Sequence, residues 1–435
     1  MDADGVLAIR PALAQYLREF DDCMGKRSNR AHLATYVAGQ LGDGDRKSIE
    51  PIADRAGVAP RTLQEFFGIF QWDHVRLIDR HQRRFVRRHG GLIALGYIDE
   101  TSYPKKGHET AGVQRQHCGA LGKVENCVVS VHLGVATEDY HTLLAGDLYM
   151  PLEAWIGDPQ RLRKAGVPEG LAFRTKPQIA LDLWKRARTN GVLFSWLVFD
   201  EGYGNNPAFL HELNKGGQRF VGEVPKSREV WTTEPRPRGR SHPCDTTSII
   251  PGPAFKVQTN PAVRVEYVLT YSPIARRIPW AMYTVMDATT GPMVWEIKCV
   301  PVWIKDEDGA PTTRPWMLML ARSVNQREEI KYFLSNAAEG VPTEEIAFAA
   351  FSRWRIERLF EDAKTDLGMD HFEVRKYTSV VRHLAISCLS HAFLAEVKQQ
   401  ALPKSTGPDD QPTPRRDLTT RSAVGVEPAL FASAG

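Results

Sequence analysis

Apolar residues recur at helical spacing from about residue 7 to residue 90, with Gly and Pro as punctuation. From Gly91 the pattern changes. Leu92 to Ile98 is a continuous apolar run ending at Asp99, which predicts a buried strand with an acid at its end and a basic turn, Pro104-Lys105-Lys106-Gly107, beyond it. Val124–Val135 and Tyr140–Leu148 predict two further strands, the shape of a three-stranded meander. Lys176–Thr189 carries Ile179, Leu181, Leu183 and Trp184 at helical spacing and is stopped by Asn190-Gly191. Val192–Phe199 is a second fully apolar run, and it too ends in an acid, Asp200. A short helix over Pro207–Leu213 and a strand over Arg219–Val224 follow.

This β-β-β-α-β-α-β order is that of an RNase H-like α/β fold, which places one acid on its first strand and a second at the end of its fourth. Asp99 and Asp200 occupy those places. An acid at a strand end carries little weight singly, because loops are polar; two in these positions carry more. Downstream, strand-like runs at Arg264–Tyr271, Trp280–Asp287, Met293–Ile304 and Trp316–Ala321 are separated by Pro, Gly and Asp, and helix returns at Thr343–Ala350. Trp280 and Trp295, within these runs, read as core residues rather than base-stacking ones. The expected organisation is a helical N-terminal DNA-binding domain (1–90), the first part of an RNase H-like catalytic core (91–225), and a β-rich insertion (226–342) opened by a basic loop with Arg236 and Arg238. The second part of the core (343–402) and a disordered tail (403–435) complete it.

Composition sets bounds without naming a function. Charged residues make up 25% and hydrophobic ones 42% of 435 residues, an ordinary globular balance, and the net charge of +4 is too small to identify a nucleic-acid partner. The six cysteines are scattered with no Cys-x2-Cys pair, so neither structural zinc nor a disulfide framework is expected. No apolar run reaches the roughly 18 residues of a membrane span and no signal-peptide pattern opens the chain; a cytoplasmic protein without a membrane partner is expected.

Charge is informative where it clusters. Between Phe351 and Leu367, Ile356, Leu359, Phe360, Ala363 and Leu367 form a helical stripe roughly 100° wide. Arg353, Glu357 and Lys364 project within about 40° of one another along its edge. That suits a metal-ligating acid flanked by phosphate-binding cations, and equally an amphipathic helix with ordinary i,i+4 pairs. Nearer the N-terminus, Ser48–Phe67 reads as a helix-turn-helix or as a plain helical hairpin, with Gly57 at the turn. Arg76, Arg80, Arg83, Arg84, Arg87 and Arg88 follow, with only Asp79 opposing them, and predict a phosphate-contacting helix face.

The spacing Arg353-x3-Glu357-x6-Lys364, and the run from Arg353 through Gly368–Arg375 to Arg382-His383-Leu384, resemble the third-acid signature of DDE transposases of bacterial insertion sequences. Within that group, which is related to the insertion-sequence-4 elements, the wording is similar to the insertion-sequence-701 family. Asp99-Glu100-Thr101-Ser102, Asp200-Glu201-Gly202-Tyr203 and Asp45–Ala53 resemble the same family, so the likeness covers roughly Arg46 to Leu384. The resemblance implies Asp99, Asp200 and Glu357 as catalytic ligands of two Mg²⁺ ions, replaceable by Mn²⁺, with Asp99 bridging both. Arg353 and Lys364 would hold flanking phosphates. It also implies double-stranded DNA as partner, a homodimer on that DNA, a nucleoid location, and cut-and-paste strand transfer. A nuclease without strand transfer and an inactive DNA-binding repressor are the competing functions. The signature's Tyr is replaced by Ala350, so any base-handling role would fall to Phe351.

Overall fold

The computed structural model describes residues 3–235, 261–288, 291–306 and 309–401; Arg236, Arg238 and the tail 403–435 lie outside the described residues. The chain begins with six helices: α1 (Ala3–Arg18), α2 (Asp21–Met24), α3 (Arg27–Leu41), α4 (Ile49–Ala56), α5 (Pro60–Gly68) and α6 (His74–His89). Gly57 ends α4 in the left-handed region at φ 65°, its N–H bonding back to Ala53 and Asp54, and Pro60 opens α5 where a missing N–H costs nothing. Ile52, Ala53, Leu63, Phe66 and Phe67 are buried, as two crossing helices require.

Strands β1 (Leu95–Pro104), β2 (Gln114–Cys118), β3 (Lys123–Ala136) and β4 (His141–Leu148) come next. They lead through α7 (Pro159–Ala165) and α8 (Lys176–Thr189) to β5 (Trp196–Phe199), α9 (Glu201–Gly204), α10 (Pro207–Lys215) and β6 (Phe220–Glu223). β1 pairs antiparallel with β3 and parallel with β5, and β5 pairs parallel with β6, giving the predicted core topology. Two details differ. β1 starts three residues later than predicted and runs on to Pro104, because Glu100–Pro104 continue to pair with Cys127–Val131; Asp99 therefore lies within the strand. The short strand β2 is additional and pairs with the start of β3.

The larger difference concerns the segment expected to project as an insertion. A short ribbon of β7 (Glu229–Val230) and β8 (Val263–Arg264) precedes α11 (Val268–Tyr271) and α12 (Pro273–Arg277). Then β9 (Ala281–Ala288), β10 (Gly291–Val302), β11 (Trp316–Ser323) and β12 (Ile330–Ser335) form an antiparallel run. β12 pairs with β6, so these four strands extend the sheet of β1 to β6 into one ten-stranded sheet. The physical reason is the edge of β6, whose open N–H and C=O groups are satisfied by β12.

Three helices close the described chain: α13 (Thr343–Phe351), α14 (Trp354–Thr365) and α15 (Tyr377–Ala401). α14 lies across β1 and β3, and a Cβ at Gly134 on β3 would stand 2.7 Å from Leu359 Cδ1, so glycine sets how closely the helix approaches. α15 is long and apolar enough to cross a membrane by length and composition, contrary to the expectation of no such run, but 89% of its apolar window is buried inside the protein. The N-terminal helices pack around it. Tyr36 Oη meets His383 Nδ1 at 3.0 Å, Gln40 donates to Ser387 at 3.0 Å and Tyr16 to the Leu389 carbonyl at 2.9 Å. N-terminal helices and sheet thus share one hydrophobic core.

Candidate active site

Side chains alternate across β1, so Tyr97, Asp99, Thr101 and Tyr103 share the face covered by α14. The contacts follow that order. Tyr97 donates to Ser352 at 3.2 Å, Asp99 Oδ2 accepts from Arg353 at 3.2 Å, and the Lys364 ammonium lies 5.7 Å from the Tyr103 ring. Asp200 enters from the neighbouring strand. Ile98 pairs with Phe199 in the parallel β1–β5 ladder, so the next residue of each strand, Asp99 and Asp200, falls side by side at a strand spacing of about 4.8 Å. Asp200 is also the N-cap of α9: its Oδ1 accepts from the N–H groups of Gly202 (3.0 Å) and Tyr203 (3.4 Å), which fixes the carboxylate.

The electrostatics follow from this packing. The Asp99 side chain is 14% exposed. Burial first, then the Asp200 charge, push its carboxyl up to about 7, against the opposing effects of the Glu100 N–H and Arg353. Burial disfavours the Arg353 charge, yet Asp99 and Glu357 raise its pKa above the ordinary value. Arg353 stands between two acids, at 3.2 Å from Asp99 and 2.5 Å from Glu357. Glu357 is 59% exposed on the far side of that guanidinium. The structure therefore brings Asp99 and Asp200 together and joins Glu357 to them through Arg353. Among the described residues no group of three His, Cys, Asp or Glu side chains is poised to hold a metal ion. Glu361, one turn on, pairs with Arg358 at 3.1 Å. Lys364 donates to the Ser102 carbonyl at 3.4 Å, farther along β1, and burial lowers its pKa.

Two neighbours were not singled out from sequence. Glu100, on the opposite face of β1, pairs with Lys176 at 2.5 Å. The Tyr203 hydroxyl is buried with no hydrogen-bond partner among the described residues, and burial and the charges of Glu100, Asp99 and Asp200 raise its pKa well above the ordinary value. Its signal was positional: it lies three residues after a capping aspartate. Asp99, Asp200 and Glu357 are all oxygen donors, the chemistry that suits a hard divalent cation, but only the first two stand side by side and Glu357 is held off by Arg353.

The predicted α6 basic face looks different in three dimensions. Arg76 and Arg80 pair with Asp22, Arg87 with Glu19, and Arg88 approaches Glu396 at 3.8 Å; Arg83 is exposed. Arg84 is the correction. It is 5% exposed and held by Glu19 and Glu396, so it serves the core rather than a phosphate. Arg84→Ala leaves Glu396, itself 8% exposed, without its principal buried partner, and is expected to cost about 3–5 kcal/mol in urea unfolding. A loss below about 1 kcal/mol would contradict that role. Phe351, the expected substitute for the missing Tyr, is partly buried and packs against Trp295 (5.1 Å) and Phe333 (5.6 Å). Trp295 is buried as expected, whereas Trp280 is only partly buried, between Arg322 (4.3 Å) and Lys298 (4.4 Å).

A probable transposase for insertion sequence element IS701 from Microchaete diplosiphon is 30% identical over 181 residues, 40% of this chain and 44% of that protein. The chain thus matches less than half the length of this curated relative. A family model described as DDE superfamily endonuclease matches residues 19–284, taking in α2 to α6, Asp99 and Asp200 and ending before Glu357. With more than half of the chain matched, and Asp99 on β1 and Asp200 just after the adjoining β5 within the match, the chain belongs to the DDE superfamily endonucleases.

Proposed function

We propose that this protein is the transposase of an insertion sequence, which binds the terminal inverted repeats of its element and cuts and rejoins DNA strands with Mg²⁺. The observation that carries the reading is the β1–β5 register, which sets Asp99 beside Asp200 with Arg353 between them and Glu357. Asp99, Asp200 and Glu357 would hold two Mg²⁺ ions, with Mn²⁺ as a substitute; when bound, such ions activate a water or a 3′-hydroxyl and neutralise the leaving oxygen.

The chain's own residues do the rest. The α9 N-terminus locks one oxygen of Asp200 and leaves Oδ2 uncommitted among the described residues. Arg353 balances Asp99 and Glu357 in the free protein; as DNA enters, it exchanges these carboxylates for the scissile phosphate and releases Glu357 toward the two aspartates. Lys364, farther along β1, is placed for a neighbouring phosphate. The protein works on double-stranded DNA in the cytoplasm, on the nucleoid, as a homodimer that holds two element ends.

Incubating the protein with a duplex carrying the element's ends, a supercoiled target plasmid and Mg²⁺ tests this directly. The expected products are metal-dependent cuts at the element boundary and joined plasmid. Cutting without joining would reduce the function to that of a nuclease, and no cutting in Mg²⁺ or Mn²⁺ would refute the catalytic reading.

A further inference from the structure

Three surface depressions beyond the far end of β1 form one continuous trough. The first, about 750 Å³, is lined by Lys106, Arg115 and Arg161; the second, about 740 Å³, by Arg161, Lys164, Arg375 and Lys376. Arg161 and His108 belong to both. Arg375 and Lys376 also line the third, about 870 Å³, which ends on the exposed face of α5 at Arg61, Gln64, Gly68 and Ile69. We infer that this trough, resting on the transposase reading, holds the phosphate backbone of a DNA duplex between the acid site and the α4–α5 hairpin.

Charge is the first argument. In the first two depressions those six cations face only Glu109, Asp158 and Glu125, and all three acids are already engaged, Glu125 with Lys123 at 3.7 Å. Glu109 pairs with Lys164 at 2.6 Å, and Asp158 caps α7 by accepting from the Arg161 N–H. Lys106, Arg115, Arg375 and Lys376 are exposed and make no ion pair with a carboxylate among the described residues. The α6 arginines, by contrast, spend most of their charge on Asp22, Glu19 and Glu396. A phosphate can be neutralised by the first set without breaking an internal pair.

Rigidity is the second. Arg161 donates to the Ala154 and His108 carbonyls, both at 2.7 Å, and stacks 3.9 Å from the Trp155 ring, whose own N–H is tied to the Val113 carbonyl at 2.8 Å. The guanidinium at the junction of the two depressions is therefore ordered before any ligand arrives, which lowers the entropic cost of binding. Geometry is the third. β1 runs from Asp99 to Pro104, so the trough begins about 17 Å from the acids at about 3.3 Å per residue, the length of about five base-pair steps.

Fluorescence-anisotropy titration of a labelled 30-bp duplex of arbitrary sequence, from 50 to 200 mM KCl, reads the trough directly. Lys106→Ala/Arg115→Ala and Arg375→Ala/Lys376→Ala are each expected to flatten the plot of log affinity against log salt by about two, at roughly 0.9 per phosphate. All four residues are exposed, so unchanged thermal midpoints are expected to accompany the loss. Arg76→Ala/Arg87→Ala in the same titration measures the competing α6 face. Unchanged slopes in both trough pairs, or a flattened slope in the α6 pair alone, overturn the assignment while leaving Mg²⁺-dependent cutting by the unmodified protein, and with it the transposase reading, intact. If the unmodified protein neither binds this duplex nor cuts element ends, that reading fails and the trough assignment with it.

Discussion

Asp200→Asn is expected to lower metal-dependent DNA cleavage by about 10³-fold or more, the equivalent of several kcal/mol of charge stabilisation at the transition state. The substitution isolates chemistry from folding. An Asn oxygen still accepts from the Gly202 and Tyr203 N–H groups, so the α9 cap and the β5 end stay in place. What disappears is the negative charge beside Asp99. Duplex binding should hold or tighten, because one acid facing DNA has been removed. Gel-shift titration beside a cleavage time course separates the two effects, and an Asp200→Asn protein that still cuts at the normal rate places the chemistry elsewhere.

Asp99→Asn is expected to stabilise the protein at pH 8 by on the order of 2–4 kcal/mol and to leave it almost unchanged near pH 4. The sign follows from the Asp99 carboxyl, whose value rises from 3.8 to about 7 on folding, through burial and then the Asp200 charge. Between those values the folded protein keeps a proton that the unfolded chain has lost. Stability therefore falls as pH rises through that window, and the full penalty is present above pH 7. Asn carries no titrating group and escapes it, offset in part by the loss of a partner for Arg353. Urea unfolding at pH 4, 6 and 8 measures the difference. An Asp99→Asn protein less stable than the unmodified one at pH 8 would mean that Arg353, rather than Asp200, dominates the environment of Asp99. A stabilised but inactive variant is the outcome expected where a site holds buried charge for function.

Several features were legible along the chain because they depend on neighbours close in sequence. The two apolar runs that end in Asp99 and Asp200 predicted buried strands; Asp200 follows directly on the end of β5, whereas Asp99 lies inside β1. Gly57 marked the α4–α5 turn through backbone conformation alone. The stripe from Ile356 to Ala363 set α14 against the sheet and brought Arg353 to β1.

Tertiary structure decided everything that depends on partners remote in sequence. Six arginines with one acid between them look like a free basic face, but Asp22, Glu19 and Glu396 arrive from α2, the end of α1 and α15. Hydrophobic periodicity identifies strands but not which edge they join, so β9–β12 read as an insertion until pairing of Phe333–Ser335 with Val221–Glu223 placed them in the catalytic sheet. The trough joins residues from about 105 to 125 with others from 158 to 164 and from 373 to 376, and no linear pattern unites them. By itself, then, the sequence determined most of the elements and the acids at the ends of two apolar runs, because backbone preference and apolar spacing are local. It missed β2 and read Arg264–Tyr271 as strand where β8 ends at Arg264 and α11 follows. Which charges are neutralised and which remain to meet a ligand was left to the fold, because Coulomb interactions act through space and take no account of distance along the chain.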